Sequence, residues 1–116
     1  MAIQYTQDLD RTFHALGDGT RRRILSTLAS KGVCSANELG APFDVAQPTV
    51  SKHLKVLEKA GLVKRKVEGR THRFQLLVGP MDEAVEWITR HKTFWQGTLE
   101  RLDGFLDDVE RSGGGK

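Results

Sequence analysis

The sequence predicts a mainly α-helical domain with a small β-hairpin and a long C-terminal helix, and three stretches carry that reading. Residues 47–57, Gln-Pro-Thr-Val-Ser-Lys-His-Leu-Lys-Val-Leu, set Val50, Leu54 and Leu57 on one narrow apolar stripe at helical spacing, with Thr49, Lys52, Lys55 and Lys59 pointing away from it. Directly downstream, Val63, Val67, Phe74 and Leu76 have the two-residue spacing of strands on either side of Glu68-Gly69-Arg70, where glycine supplies the freedom of a tight turn. Further on, Met81, Ile88, Trp95, Leu102 and Val109 recur at intervals of seven, joined by Val85, Leu99 and Leu106. A helix followed by a basic hairpin is the outline of a winged helix. Residues 1–111 are expected to form one such domain: helices and wing over 8–78, a C-terminal dimerisation helix over 81–110, and a flexible tail over 112–116.

Taken in order, the first helix is expected over Asp8–Leu16, with Leu9, Phe13 and Leu16 on one face. Gly17-Asp18-Gly19 breaks it, and Asp18 is placed to cap a second helix over Thr20–Ser30 whose buried side is Ile24, Leu25 and Leu28. Arg21, Arg22 and Arg23 open that helix against its dipole, a pattern read either as a solvated first turn or as a sign of an acidic or phosphate partner. Ser35-Ala36-Asn37-Glu38 is a capping box that starts a third helix through Leu39, which Pro42 interrupts or ends early. Phe43-Asp44-Val45 then turns the chain into the 47–59 helix, where Pro48 suits a first turn. Helix, short turn and basic-faced helix make a helix-turn-helix. After the hairpin, Gly79-Pro80 ends the strand and Asp82–Glu110 reads as one long helix or two with a bend, weakened at Gly97 and Gly104.

Charge is segregated along the 116 residues. Thr20–Arg73 holds 12 basic and 4 acidic residues, whereas Asp82–Glu110 holds 3 basic and 8 acidic ones. A basic body with an acidic tail helix is the footprint of a polyanion binder whose acidic part is repelled to the far side. The hydrophobic fraction of 38% fits a soluble chain, and no apolar run approaches the roughly 18 residues of a membrane span. The N-terminus lacks an export pattern, so a cytoplasmic protein without a membrane partner is expected, and the single cysteine, Cys34, excludes an intramolecular disulfide.

Hydroxyls and lysines at the start of the 47–59 helix suit base edges and phosphates, against the plainer alternative of an amphipathic surface helix. Lys64, Arg65, Lys66, Arg70 and Arg73 face a single acid, Glu68, between residues 64 and 73. Such a ribbon, over 63–77, suits a phosphate backbone or a minor groove; its alternative is an edge hairpin guarded by lysine against aggregation. The apolar stripe of the long helix needs either the first helix of its own chain or a second subunit, and a homodimer is favoured because a two-fold protein engages two half-sites.

Phe13-His14-Ala15-Leu16-Gly17-Asp18-Gly19-Thr20-Arg21-Arg22-Arg23-Ile24-Leu25, Glu38-Leu39, the run from Gln47 to Leu57, and Ala60-Gly61-Leu62-Val63 together resemble the ArsR type of bacterial winged-helix repressors, over most of residues 9 to 78. Ala41-Pro42-Phe43-Asp44 with Trp87, Phe94 and Trp95 looks like a branch of that family without its metal-sensing motifs. The resemblance implies a homodimeric repressor that binds an inverted repeat in double-stranded DNA with the 47–59 helix of each subunit in the major groove. Carried onto this chain, it implies contacts from Gln47, Thr49, Ser51, Lys52, His53 and Lys55 on the helix and from Lys64, Lys66, Arg70, Thr71 and Arg73 on the wing. The dimer interface is expected at Leu9, Phe13, Ile88, Trp95, Leu99, Leu102 and Leu106. Gly19 stands where the family usually has proline, and Ala46 replaces a hydroxyl N-cap worth about 1 kcal/mol, a loss that Asp44 or Gln47 offsets in part.

Metal sensing is not expected, and no cofactor is. Cys34 stands outside any Cys-x-Cys arrangement, and the last helix offers only His91, beside Asp82, Glu83 and Glu86. Cys34 reads either as a redox switch or as a buried, inert residue, the second being favoured. His14, His53, His72 and His91 are scattered, with His53 expected at the DNA face; Trp87, Phe94 and Trp95 read as core or dimer packing rather than an effector pocket. No phosphate loop, paired carboxylates or nucleophile–base pair points to an enzyme. The competing function is a protein-interaction module that keeps the winged fold and docks a basic partner on its acidic helix.

Overall fold

A computed structural model describes residues 2–43 and 46–114, with side chains over 8–43 and 46–111. The elements are α1 (Ala2–Leu16), α2 (Gly19–Lys31), β1 (Val33–Ser35), α3 (Ala36–Gly40), α4 (Gln47–Lys59), β2 (Val63–Glu68), β3 (Thr71–Leu76) and α5 (Gly79–Gly114). They fall into two compact units, Met1–Ala84 and Val85–Lys116. The first holds every element up to the start of α5, and the second consists of α5 alone among the described residues.

In the first unit the apolar stripes converge as their spacing requires. Ile24, Leu25 and Leu28 of α2, Leu39 of α3, Val50, Leu54 and Leu57 of α4, and Leu62, Val63 and Phe74 around the hairpin form one buried cluster. Helix α1 starts at Ala2, earlier than the expected Asp8, and its buried stripe is Leu9, Thr12 and Ala15, with Phe13 and Leu16 half-buried beside it. Thr12 is tolerated there because its hydroxyl donates to the Asp8 carbonyl at 3.1 Å. Asp18 caps α2 by accepting from the Arg21 backbone N–H at 3.0 Å. The Ser35–Glu38 capping box is closed in both directions, at 3.2 Å and 3.1 Å. Ala46 gives α4 no side-chain cap, and Asp44 and Val45, assigned to the preceding turn, lie outside the described residues.

The sheet differs from the expected two-stranded hairpin. It has three antiparallel strands in the order β1-β3-β2, because Val33–Ser35 pairs with Gln75–Arg73. Three residues are too short to show an alternating pattern, which is why β1 is invisible as a period in the sequence. The hairpin itself closes through Glu68 and Thr71, with Gly69 at φ +62° in the two-residue turn.

Helix α5 runs unbroken for 36 residues, longer at both ends than expected. Gly79 belongs to the helix, whose first turn is held by the Asp82 N–H donating to the Val78 carbonyl at 2.9 Å. At the other end Ser112, Gly113 and Gly114, expected in a flexible tail, keep the helical backbone; Gly115 and Lys116 lie outside the described residues. Weak glycine propensity does not stop the hydrogen-bond ladder in α5.

Candidate nucleic-acid interface

Burial of Val50, Leu54 and Leu57 fixes the rotation of α4, so Gln47, Thr49, Lys52, Lys55 and Lys59 are exposed. Ser51 and His53 are half-buried. A groove of about 530 Å³ separates α4 from the hairpin; Ser51 and Lys55 line one side of it, Arg70, Thr71 and Arg73 the other, and Glu38 the end. The structure thus brings five of the expected contact residues to one cleft.

Register sets the two remaining wing residues, Lys64 and Lys66, on one face. Lys64 pairs with Gln75 and Lys66 with Arg73, so Lys64 and Lys66 stand on the sheet face opposite Arg65 and Phe74. They line a second groove of about 500 Å³ with Val33, Glu68 and Gln75. Glu68 engages two of these cations: its carboxylate lies 3.6 Å from Lys66 Nζ and accepts from Arg73 Nε at 3.2 Å.

His53 is placed otherwise than expected. Its side chain is only 18% exposed, with Nδ1 3.2 Å from Arg21 Nη1 and 3.9 Å from Asp18 Oδ2. This turns the ring toward the start of α2, because at position 53 the helix faces neither the core stripe nor the lysine row. The arginine run is explained the same way. Arg21 Nε donates to the Ala15 carbonyl at 2.8 Å, Arg21 Nη2 to the His14 carbonyl at 2.9 Å, and Arg22 Nη1 to the Leu16 carbonyl at 2.7 Å. These carbonyls lie at the negative end of α1, where the helix's own donors run out and, among the described residues, only His14 gains a backbone partner, the Gly17 N–H at 3.2 Å, so cations that sit badly on their own helix are well placed for the preceding one. Arg23 lies over the Phe43 ring, 4.8 Å from its centroid. A phosphate partner is not needed to account for the run.

Arg65 and Glu58 were missed as site residues. Arg65 Nη2 donates to Glu58 Oε1 at 3.0 Å, joining β2 to the last turn of α4. The available signal was strand alternation, which puts Arg65 on the face of Val63 rather than that of Lys64 and Lys66.

Cys34 is fully buried in β1, opposite Phe74. Burial pushes its thiol up, and the Glu38 carboxylate pushes the same way, which opposes the thiolate that a redox switch requires. Among the described residues no group of three or more His, Cys, Asp or Glu is placed to hold a metal ion, and no helix is long and apolar enough to cross a membrane. In the second unit, Trp87 and His91 stack with centroids 4.0 Å apart, and Trp95 meets Trp87 edge-on at 6.3 Å. Ile88, Trp95, Leu99, Leu102 and Leu106 are 46% to 58% exposed. Leu9, expected with them at a subunit interface, is only 7% exposed and has little surface left to offer a partner.

Known proteins share this arrangement. A family model described as a helix-turn-helix domain matches residues 16–66. The uncharacterized HTH-type transcriptional regulator MJ1325 of Methanocaldococcus jannaschii is 39% identical over 76 residues, 66% of this chain and 85% of that protein. The crystal structure of the ArsR family transcriptional regulator RHA00566 matches with a TM-score of 0.74 at 32% identity, covering 78% of this chain and 93% of that one. The chain belongs to the ArsR family of winged helix-turn-helix transcriptional regulators. This is a family of regulators and not of enzymes. A further relative, the HTH-type transcriptional regulator Rv2034 of Mycobacterium tuberculosis, is 45% identical over 67 residues; the match takes in 58% of this chain and spans less than two thirds, 62%, of that protein's length. The matched family segment contains the α2–β1–α3–α4 core and the start of β2, the part of the chain that presents the exposed face of α4.

Proposed function

We propose that this chain is a DNA-binding transcriptional repressor that acts as a homodimer on an inverted-repeat operator. Helix α4 enters the major groove and the β2–β3 wing follows the adjacent backbone. The observation that carries this reading is the row Thr49, Lys52, Lys55 and Lys59, exposed on a helix whose other face is buried, beside a groove walled by Arg70, Thr71 and Arg73. Gln47 and Thr49 are the residues for base edges, glutamine matching adenine and the threonine methyl matching thymine; Ser51, Lys52, Lys55 and the wing cations hold phosphates. His53 orients α4 from behind rather than touching DNA. The half-exposed apolar row along α5 supports pairing of two copies.

The test is fluorescence anisotropy on duplex DNA from upstream of the protein's own gene, at two salt concentrations and against random competitor. Tight, competitor-resistant binding that falls steeply with salt is expected. Lys52→Ala and Arg70→Ala should each flatten the logarithmic salt slope of the dimer by about 1.8, roughly 0.9 for each subunit's lost phosphate contact. Binding that random competitor erases would instead favour an interaction module that uses the acidic α5.

A further inference from the structure

Arg65 sits in the middle of the basic wing and lines the groove beside α4, yet its side chain is only 26% exposed and its guanidinium is engaged by protein partners. It stands opposite Phe74 in the β2–β3 register and lies 5.1 Å from the centroid of that ring. Nη2 donates to Glu58 Oε1 at 3.0 Å, Nη1 lies 3.3 Å from His72 Nδ1, and Nε is buried without a hydrogen-bond partner among the described residues. Glu58 belongs to α4, while Phe74 and His72 belong to β3. One side chain therefore joins the helix to both strands of the hairpin. Its neighbours Lys64 and Lys66 stand on the opposite face of the sheet.

We propose that Arg65 is a positioning residue for DNA recognition, holding the wing at a set angle to α4 through Glu58 and Phe74 without itself meeting a phosphate. The inference rests on the reading of α4 and the wing as the DNA-binding elements. Two groups of contacts engage one duplex together only if the spacing between them is held, so releasing the link costs affinity where register matters. A cation that releases no counterion leaves the salt slope alone. A sequence-specific site uses the full register, whereas random DNA, bound mainly through charge, does not.

The test uses the full chain and two probes: a duplex enriched by the wild-type protein from a pool of random sequences, and an unselected duplex. Affinities of Arg65→Met, Glu58→Gln, the exchanged pair Glu58→Arg with Arg65→Glu, and Lys66→Ala as a phosphate-contact reference are measured from about 50 to 200 mM salt. Arg65→Met and Glu58→Gln should weaken the enriched duplex on the order of tenfold, with the unselected duplex little changed and the salt slope as in wild type. The exchanged pair should recover part of the loss. Glu58→Gln keeps the shape of its side chain and serves if Arg65→Met fails to fold. A salt slope reduced as in Lys66→Ala would make Arg65 a phosphate ligand and overturn the proposal, as would unchanged affinity in both single variants. Failure of the wild-type protein to enrich any duplex would instead remove the DNA-binding reading, and the proposal with it.

Discussion

Arg21 Nη1 lies 3.2 Å from His53 Nδ1, across 32 residues of sequence, while the same guanidinium donates to the carbonyls of His14 and Ala15. One side chain on α2 thus ties the end of α1 to the middle of α4. Arg21→Ala takes one donor from each of two helix-terminal carbonyls, of which His14 keeps the Gly17 N–H, and should destabilise the chain by about 2 kcal/mol, measured as the shift of a urea unfolding curve. Arg21→Lys, which cannot span all three acceptors, should recover less than half of that. Wild-type stability in the alanine variant would show that water replaces the guanidinium without loss.

The two helix caps make stability depend on acid. Asp18 is held below the usual carboxylate range chiefly by the Arg21 backbone N–H, and Glu38 chiefly by the Ser35 backbone N–H. Because the folded values are depressed, the contribution is complete above the ordinary carboxylate range and is lost as pH falls through the folded values. Asp18→Asn with Glu38→Gln keeps uncharged acceptors at both caps. Its unfolding midpoint should fall less than that of the wild type between neutral and acid pH, and parallel curves would show that other carboxyls set the acid limb.

Much of this was legible because burial and helical period coincide. Val50, Leu54 and Leu57 share a stripe that nothing but a helix can bury, and the Ser35–Glu38 spacing is itself the capping geometry. What escaped the sequence was direction over distance. Nothing local says that Arg21 reaches back to α1, that His53 faces Arg21, or that Arg65 leaves the basic face to meet Glu58. Composition counts such residues as a basic patch; only the packing shows which cations are spent inside the protein.

Glu68 holds two wing cations, Lys66 at 3.6 Å and Arg73 at 3.2 Å, and all three side chains are well exposed. Exposed pairs contribute little to folding, so Glu68→Gln should alter stability by less than about 0.5 kcal/mol. Near a phosphate backbone the same carboxylate competes for its partners and adds repulsion. The variant should bind random-sequence DNA on the order of threefold to tenfold more tightly at low salt, an advantage that vanishes as salt rises. Weaker binding in an anisotropy titration would mean that Glu68 orients Lys66 and Arg73 rather than restraining them.

Gly61 connects α4 to the wing at φ +74°, and an added Cβ would stand 3.3 Å from Pro80 Cγ. Gly61→Ala combines left-handed backbone strain with a tight contact to a stiff ring, so a loss of about 1 to 2 kcal/mol is expected in denaturant unfolding. Gly69, at φ +62° with nothing within 4 Å of a built Cβ, separates the two causes. Alanine there carries the strain alone and should cost less than at Gly61. Equal losses would show that Pro80 yields to the methyl group.

Trp95 tests the proposed pairing of two copies through α5. Its side chain is 52% exposed and leans edge-on against Trp87, so a substitution removes little from the core of the separate chain. Trp95→Asp places a charge in the middle of the row Ile88, Leu99, Leu102 and Leu106, where a paired copy would exclude water from it. Sedimentation should show monomers at concentrations where the wild type is paired, with far-ultraviolet helix content kept. Operator affinity should fall by much more than affinity for random DNA, because two half-sites are then bound separately. A variant that still sediments as a dimer would move the interface off this row of α5. A wild-type chain that is itself monomeric would remove the homodimer from the proposed function and leave α4 and the wing to act on a single half-site.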